Sequence, residues 1–595
     1  LNRIDKNPIH INANYSEERN QELKNIPDFI LKLLIQRGIA SAAEVKEFLY
    51  PKIASINDPF KIANMAKAVD RLVTAYEKQQ VVAVYGDYDL DGTFGLVILK
   101  EGLNKLGFKN VIPIQPFRHH DGYGLHAHYV EELKQKYNVD LIVTVDVGIT
   151  ANEACLKAKE LGVDVIITDH HLAQEILPEA YCIINPNQPN DSSGLKYLCG
   201  AGVGLYLIRA LRKQMMDKGF NVNLDIKELL PYYAVATITD MVPLIADNRL
   251  LLKFAFECFK NVNNVGLKSL LTKLDLQNKK LDTEDIGIKL APKINALGRL
   301  EKDKKPMELL FIENEVQASN YVDSLLDLNI KRRSLQDLGV KEVQKYIEDN
   351  KLEDRIKQDE FLFFFSDVIH PGVTGLIANH FMNELGLPCL IGSVDNNTKR
   401  VTSSGRKPDT VAGSLVDLMT SLKSDTCDGG GHACAVGFEF HVDESAQIHK
   451  QIEAYFKTIK TSDGNTNLVL KPQKSLTYDI ELTWKDIHFK NYLWLEFLEP
   501  FGVGFPEPKF LIKNVSFIQL SMLKNKHFKL VAINSSANEK VDFLLFNPSP
   551  YQKRLITEGI DNLDVVVKIK KDKFRNQNKI QLLIEDICKH EFIKA

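Results

Sequence analysis

At 595 residues the chain is too long for a single hydrophobic core, so three or four domains are expected. Its 44% hydrophobic and 26% charged residues are ordinary globular values, and a formal charge of −3 excludes a basic coat over the whole surface. Any nucleic acid must then lie in a local groove. The 8 cysteines are scattered, and Cys182, Cys258 and Cys389 sit within apolar runs, which fits reduced, buried thiols. Cys427 and Cys434 flank His432 without a Cys-x-x-Cys, so a structural zinc is not expected there. No apolar run approaches the roughly 20 residues needed to cross a bilayer, and no signal peptide is recognised. A cytoplasmic location is expected.

In chain order, residues 1–55 mix short helical signals with loops and read as an N-terminal extension. Asn57-Asp-Pro-Phe60 then opens a helix running toward Glu77. From Val81 to about Leu300, apolar strand signals at 81–85, 141–145 and 163–168 alternate with helical signals such as 131–137 and 153–160. That alternation predicts a doubly wound parallel sheet, with residues 56–306 as one α/β domain. Gly200-Ala-Gly-Val-Gly204 reads as a Gly-rich helix start, suited equally to tight packing and to phosphate binding. Residues 307–352 contain only Gly339 as a breaker and predict one or two long helices bridging two lobes. A second α/β domain is expected over 353–462, ending after an alternating strand at 435–442, and a polar linker over 461–467. The last part, 468–595, carries strand signals at 510–523, 527–534, 541–547, 565–571 and 579–587, with a turn at Asn576-Gln-Asn578. A small closed barrel of the oligonucleotide-binding type fits this pattern.

The chemistry concentrates where the first strands end. Asp87 and Asp89 follow 81–85, Asp146 follows 141–145, and Asp169-His-His171 follows 163–168. Asp240, in Thr237-Ile-Thr-Asp240-Met-Val-Pro-Leu244, reads as a further member. Parallel strands end along one sheet edge, where open α/β sheets bind ligands. Bare carboxylates meeting there repel one another, and a mixed carboxylate and imidazole set suits manganese or magnesium. Each residue also has a plainer reading taken alone. Asp87 and Asp89 could cap a helix or a turn, as could Asp91; Asp146 could sit in a turn; one histidine could be buried and the other exposed. Asp89-Leu-Asp-Gly-Thr93 also spells the opening motif of haloacid-dehalogenase-type phosphatases. There the nucleophilic Asp directly follows the strand, whereas Gly86-Asp-Tyr88 intervenes here, and His370 stands where a later acid is needed.

Taken in order, Gly86-Asp-Tyr-Asp-Leu-Asp-Gly92, Val145-Asp-Val-Gly-Ile149, Asp169-His-His171 and Thr239-Asp-Met-Val-Pro-Leu244 resemble the four motifs of the DHH phosphoesterase family. Gly122-Tyr-Gly124, Ile294-Asn-Ala-Leu-Gly-Arg-Leu300, His370-Pro-Gly372, Gly429-Gly-Gly-His432 and Leu498-Glu-Pro-Phe-Gly-Val-Gly504 with Pro506-Glu-Pro508 are similar to its RecJ-type single-strand-specific exonucleases. The resemblance runs from about Leu31 to the end. Ser403-Ser-Gly-Arg-Lys407 departs from the usual Gly-Ser-x-Arg-Ser, Lys293 replaces a common Arg, and Cys434 and Val436 replace small alanines.

The resemblance implies a DHH-type parallel-sheet catalytic domain, a connecting helix over 307–352, a second α/β (DHHA1-type) substrate-binding domain over 353–462 and an OB-fold barrel. It implies two divalent cations, Mn2+ or Mg2+, held by Asp87, Asp89, Asp146, His170 and Asp240. Asp89 and His171 carry the catalytic roles, His171 at the scissile phosphate. Arg118, Arg299, Ser404 and Arg406 match positions that hold a 5′-phosphate, and Gly430, Gly431 and His432 match a loop that closes over the substrate. In the barrel, Lys526, Phe528, Lys529, Lys570, Lys571, Phe574 and Arg575 offer rings for bases and cations for phosphates, although either phenylalanine could equally fill the barrel. The implied activity is 5′→3′ hydrolysis of single-stranded DNA to 5′-mononucleotides in DNA repair and recombination. A monomer is expected, with a repair helicase and a single-stranded-DNA-binding protein as partners. A phosphodiesterase of short oligonucleotides or cyclic dinucleotides, and a non-catalytic DNA-binding relative, remain as alternatives.

Overall fold

The computed structural model describes residues 23–118, 120–352, 356, 361–424, 427–462, 477–524, 526–572 and 579–590. Phe574 and Arg575, the turn at 576–578 and most of the linker at 461–467 lie outside the described residues, as do residues 1–22 of the expected extension.

The first sheet is all parallel, with strands β1 (Val82–Gly86), β2 (Val111–Ile114), β3 (Leu141–Val145), β4 (Asp164–Thr168) and β5 (Cys182–Ile184) in the order β2-β1-β3-β4-β5. β1 and β3 are buried along their whole length, which is why they read as continuous apolar runs. The two-residue period still sorts their side chains. Val82, Val84, Leu141, Val143 and Val145 join the core under helices Met65–Glu77, Leu90–Lys105 and Gly200–Asp217. Ala83, Tyr85 and Ile142 face helices Ala127–Tyr137 and Asn152–Glu160. The chain builds outward from β1 to β2, then crosses to β3 on the other side. The crevice left at that switch lies beyond the carboxyl ends of β1 and β3.

A 35-residue helix, Glu315–Asp349, bridges the two lobes, its N-terminus capped by Asn314 on the Gln317 amide. At about 1.5 Å per residue it is long enough to serve both cores. Val322 and Leu325 pack on the first lobe, and Val343 and Ile347 on the second. The second lobe is a mixed sheet of β6 (Leu362–Ser366), β7 (Cys389–Asp395), β8 (Arg400–Arg406), β9 (Asp428–His432) and β10 (Ala435–His441), in the order β6-β7-β8-β10-β9. Gly430, Gly431 and His432, expected in a loop, form the exposed edge strand β9, paired to β10 through Gly431↔Val436 and Gly430↔Gly437. Their lack of side-chain bulk lets a run without β-propensity pair at an edge.

The last seven strands are β11 (Ile480–Glu481), β12 (Phe510–Val515), β13 (Phe517–Leu523), β14 (His527–Asn534), β15 (Glu539–Leu545), β16 (Leu563–Lys571) and β17 (Ile580–Lys589). Their order is β11-β12-β16-β17-β15-β14-β13. Ser516 alone separates β12 from β13, so the ladder ends on the continuation of a strand near its start, and the sheet closes on itself. The single strand expected over 510–523 is therefore this bent pair. Helices Asp28–Gln36 and Ala42–Leu49 bury Phe29, Ile30, Leu33 and Val45 in the barrel's core, with Phe29 edge-on to Phe510 at 5.9 Å. The N-terminal stretch thus completes the barrel rather than standing apart from it.

The barrel is fastened to the catalytic lobe by cations that meet carbonyls. Arg249, on helix Ala246–Cys258, lies 3.8 Å over the Phe48 ring and donates to the carbonyls of Leu498 and Pro500. Lys253 Nζ donates to Phe497 O at 2.8 Å. The Phe497 and Leu498 carbonyls end helix Phe489–Leu498, where the helix dipole favours positive charge. Cys182 and Cys389 are buried as their apolar runs imply, whereas Cys258 is partly exposed. Among the described residues no helix is long and apolar enough to cross a membrane.

The Glu499 carboxyl lies in this interface. Burial, aided by Asp282 and Glu496 against the pull of Lys280 and Lys570, pushes it from 4.5 to about 7. The folded protein therefore holds this proton more tightly than the unfolded chain, and stability is lost as pH rises from the unfolded toward the folded value. Glu499→Gln is expected to raise the melting temperature at about pH 8 and leave it nearly unchanged at about pH 5. Calorimetry at both values checks this.

Candidate metal centre and anion pocket

Asp87 follows β1 directly and is buried, and its carbonyl accepts from Gln115 Nε2 at 2.7 Å. Asp89 caps helix Leu90–Lys105 by accepting from the Gly92 amide at 3.1 Å. Asp91, in that helix's first turn, accepts from the Gly200 and Ala201 amides at 2.6 and 2.9 Å, stitching two helix starts together. Asp146 follows β3 with φ of 62°. A Cβ at Gly200 would lie 2.4 Å from Asp146 Cβ, so the glycine lets helix Gly200–Asp217 start against this carboxylate. Of the two readings of that Gly-rich run, close packing is the one the structure shows. Asp240 joins from a different kind of element: it follows helix Leu230–Thr239, whose final turn delivers it to the same crevice. An apolar run rich in Ala and Tyr served as a buried helix, not a strand.

These groups converge. His170 Nε2 lies 3.2 Å from Asp146 Oδ1, 3.6 Å from Asp240 Oδ2 and 3.8 Å from Asp91 Oδ2. Three triads each bring one ligand atom per residue within 4.8 Å of the others: Asp87, Asp89 and Asp146; Asp91, His170 and Asp240; Asp146, His170 and His171. Every metal ligand expected from the sequence is in this cluster. Asp87 Oδ1, Asp146 Oδ1, His170 Nε2 and Asp240 Oδ2 are buried without a hydrogen-bond partner. Buried, unpaired oxygens and an imidazole nitrogen facing one point are the donor set of a hard divalent cation, so the residues fit manganese or magnesium.

The electrostatics agree. Burial and the neighbouring carboxylates push Asp87 and Asp146 well above the usual range, and raise Asp240 to about 9. Asp91 is also raised by burial, and His170 is lowered by it. Asp169 shows the contrast. Although buried, its carboxyl is held low by His171 and by the Ile149 amide, with the His170 and His171 amides also donating to it. His171 Nδ1 lies 2.8 Å from Asp169 Oδ1, and this bond outweighs burial to raise the imidazole. Tyr123 Oη stands 3.1 Å from the same nitrogen. Asn185 Nδ2 binds the His171 carbonyl and Asn187 Nδ2 the His170 carbonyl.

A positive pocket lies beside this negative one. Strand β8 places Ser404 and Arg406 on one face, and Ser404 Oγ is 3.0 Å from Thr374 Oγ1 at the start of helix Thr374–Leu385. Arg406 stands beside the next residue, Gly375, whose Cβ position would be 3.0 Å from Nη2. Arg299 reaches the Gly372 carbonyl at 3.5 Å, and Arg118 stacks on the Tyr88 ring at 5.1 Å. Burial and the charges of Arg118, Arg406 and Arg332 push Arg299 down to about 9; burial and Arg118 also lower Arg406. Among the described residues none of Arg118, Arg299 and Arg406 is ion-paired with a carboxylate. His432 brings the second lobe over the metal cluster, its ring nearly parallel to His171 at 6.0 Å between centroids.

The barrel residues do not gather in this way. Phe528 packs half-buried against the barrel core, and Lys529 pairs with Asp542 at 2.6 Å. Lys570 is held by Glu284 and Glu507 at 2.8 Å each. Lys571 lies over the Phe489 ring, and Lys526 is exposed. Sequence reasoning passed over Asp91, Asp169 and Tyr123 as site residues. Asp91 continues the two-residue spacing of Asp87 and Asp89, and that spacing was the available signal.

Residues 81–237 match the DHH family, N-terminal domain, and residues 478–586 match the RecJ OB domain. The chain thus resembles the DHH family in its first lobe and RecJ-type proteins over nearly its whole length. It is 28% identical over 574 residues to the single-stranded-DNA-specific exonuclease RecJ of Bacillus subtilis (strain 168), covering 96% of this chain and 69% of the relative. With the Escherichia coli (strain K12) RecJ it shares 28% identity over 571 residues, covering 94% and 96%. In structure it resembles RecJ from Thermus thermophilus in complex with Mn2+, with a TM-score of 0.77 at 23% identity, covering 97% of this chain and 78% of that one. An exonuclease RecJ bound to manganese aligns with a TM-score of 0.56 at 28% identity, over 67% of this chain and 95% of the other.

Asp91→Asn should lose about 1–3 kcal/mol of stability in metal-free protein, because an amide NH2 would face one of the two helix N–H groups that the carboxylate now satisfies. Chemical denaturation of wild type and variant in EDTA measures this, and identical curves would remove the helix-stitching role.

Proposed function

We propose that this chain is a metal-dependent exonuclease that degrades single-stranded DNA from the 5′ end and releases 5′-mononucleotides. One observation carries the reading: a cluster of unpaired carboxylates and a cluster of unpaired arginines share one cleft. Asp87, Asp89, Asp146, His170 and Asp240 are the residues that would hold two divalent cations, with Asp91 as an additional candidate. Manganese or magnesium bound there supplies Lewis acidity at the scissile phosphodiester.

The chain's own groups do the rest. A terminal phosphate carries more charge than an internal one, so Arg118, Arg299, Arg406 and Ser404, which lies on β8 beside the start of helix Thr374–Leu385, select an end. Fixing that end sets which phosphodiester meets the metal cluster. The Asp169 contact that raises His171 favours its imidazolium form, in which Nδ1–H stays on Asp169 while Nε2–H contacts the scissile phosphate and passes its proton to the departing O3′ of the terminal nucleotide, leaving neutral imidazole. Gly430 and Gly431 let β9 approach the strand closely while His432 covers it from the second lobe. Asp89 acts both as a ligand and, through its cap on Leu90–Lys105, in fixing the catalytic loop. The barrel extends the path, with Lys526, Phe528 and Lys571 as contacts for the outgoing strand and Lys529 available only by exchanging Asp542 for phosphate. We place this monomer in the cytoplasm in DNA repair and recombination, beside a helicase and a single-stranded-DNA-binding protein that supply its substrate.

A manganese-containing assay with labelled single-stranded DNA, duplex DNA and a dinucleotide is the direct test. Selective decay of the long single strand is expected. Decay of the dinucleotide alone would point to a small-substrate phosphodiesterase, and no decay at all to a DNA-binding scaffold.

Asp89→Ala and His170→Ala should each abolish hydrolysis while leaving the circular dichroism spectrum unchanged; normal turnover by either purified variant would refute the metal assignment. Arg406→Ala should lower the rate on 5′-phosphorylated DNA by at least about tenfold, the equivalent of one charge-assisted contact, and lower it much less on 5′-hydroxyl DNA. Equal losses on both ends would remove the end-recognition role.

A further inference from the structure

The segment Leu498-Glu-Pro-Phe-Gly-Val-Gly504 has no part in the chemistry above, yet it docks on the residues that follow Asp240. Leu244 N donates to Val503 O at 2.7 Å. A Cβ on Gly502 would lie 2.5 Å from Leu244 Cδ1 and 3.1 Å from its Cγ. Gly504, with φ of 75°, lies against Pro243, a Cβ there falling 3.1 Å from Pro243 Cβ. On the opposite side Asn248 Nδ2 holds the Pro243 carbonyl at 3.0 Å, and Tyr233 Oη in turn holds Asn248 Oδ1 at 2.5 Å. Met241 and Ala246, the two ends of this short connection, have φ of 58° and 43°. Left-handed backbone at non-glycine residues persists only where surrounding contacts enforce it. Asp240 thus sits at the end of a strained connection clamped between its own lobe and the stem of the barrel.

We propose that Gly502, Val503 and Gly504 are positioning residues for Asp240: the barrel's stem sets the reach of this carboxylate into the metal cluster, so barrel docking and metal affinity are coupled. The inference rests on the metal reading of the cluster. A ligand whose supporting contacts are disturbed typically loses affinity without loss of the fold.

The test is Mn2+ binding to the intact protein without DNA, followed by electron paramagnetic resonance. Gly502→Ala pushes Leu244 away and should weaken Mn2+ binding by about tenfold, and adding Leu244→Ala to that variant should restore most of it. Thr283→Val is the control. It removes a different contact on the same stem, Thr283 Oγ1 to Phe501 O at 2.9 Å, and should lower stability while leaving the Mn2+ isotherm in place. A Gly502→Ala isotherm that superimposes on wild type, or a shift of equal size in Thr283→Val, overturns the proposal. If Gly502→Ala does not fold, Leu244→Ala alone decides, since it adds no atoms: weaker Mn2+ binding supports the coupling and wild-type binding sinks it. Absence of Mn2+ binding by wild type would instead refute the metal reading itself.

Discussion

The structure is organised around electrostatic repulsion that the protein does not relieve by itself. Asp87, Asp91, Asp146 and Asp240 reach one crevice from two strand ends, one helix start and one helix end, and burial raises the affinity of each for a proton. A fold left to minimise its own energy would separate them or pair them with arginine. Instead the sheet order sets Asp87 and Asp146 beside each other at the switch between β1 and β3, and Gly200 lets a third helix start against Asp146. That is the cost of a preformed site: without a cation the cluster carries its repulsion or takes up protons, so geometry held in advance favours cation binding.

Much of this was legible in the sequence because burial on both faces leaves a strong signal. β3 was expected over its observed residues, and β1 and β4 within one residue, since parallel strands covered on both sides are unbroken apolar runs ending in acids. The bridging helix was visible from the lack of breakers over 307–352, and the barrel from its alternating strands. Asp240 was grouped with the cluster without an element assigned to the run before it, because a buried helix such as Leu230–Thr239 has no polar face to betray its period. Asp91 was read as a local cap, but Asp89 caps that helix, while Asp91 satisfies the Gly200 and Ala201 amides of another helix and faces His170. The edge strand β9 was hidden because Gly429 to Gly431 carry no strand propensity, and pairing came from β10 alone. Lys529 and Lys570 show the limit most clearly. A lysine on a barrel strand has the same signature whether it waits for phosphate or already holds a carboxylate, and only coordinates reveal Asp542 and Glu507.

Among the contacts that join the two lobes and the barrel, some reach the site or its immediate neighbours. His432 stacks over His171 from the second lobe, the helix Glu315–Asp349 contributes to both cores, and Arg249 holds the barrel stem just downstream of Asp240. None of these junctions is a broad apolar face. They are a ring pair, a helix and a handful of carbonyl contacts, which permit small rearrangement without loss of register.

The arginines do not simply neutralise the carboxylates. Tyr88 lies between Asp87 and Asp89 in sequence, and its ring carries Arg118. The cation–π contact holds the guanidinium against the ring rather than against a carboxylate. Arg299 and Arg406 are held from the other side, at the Gly372 carbonyl and beside Gly375. The two clusters are thus kept apart by a neutral ring and by backbone, each short of counter-charge. The proposed substrate would satisfy both together, its terminal dianion on the arginines and an inner phosphate at the cation-loaded carboxylates. A substrate lacking either feature leaves one cluster unsatisfied, and the same frustration that draws the cations in therefore also discriminates between substrates.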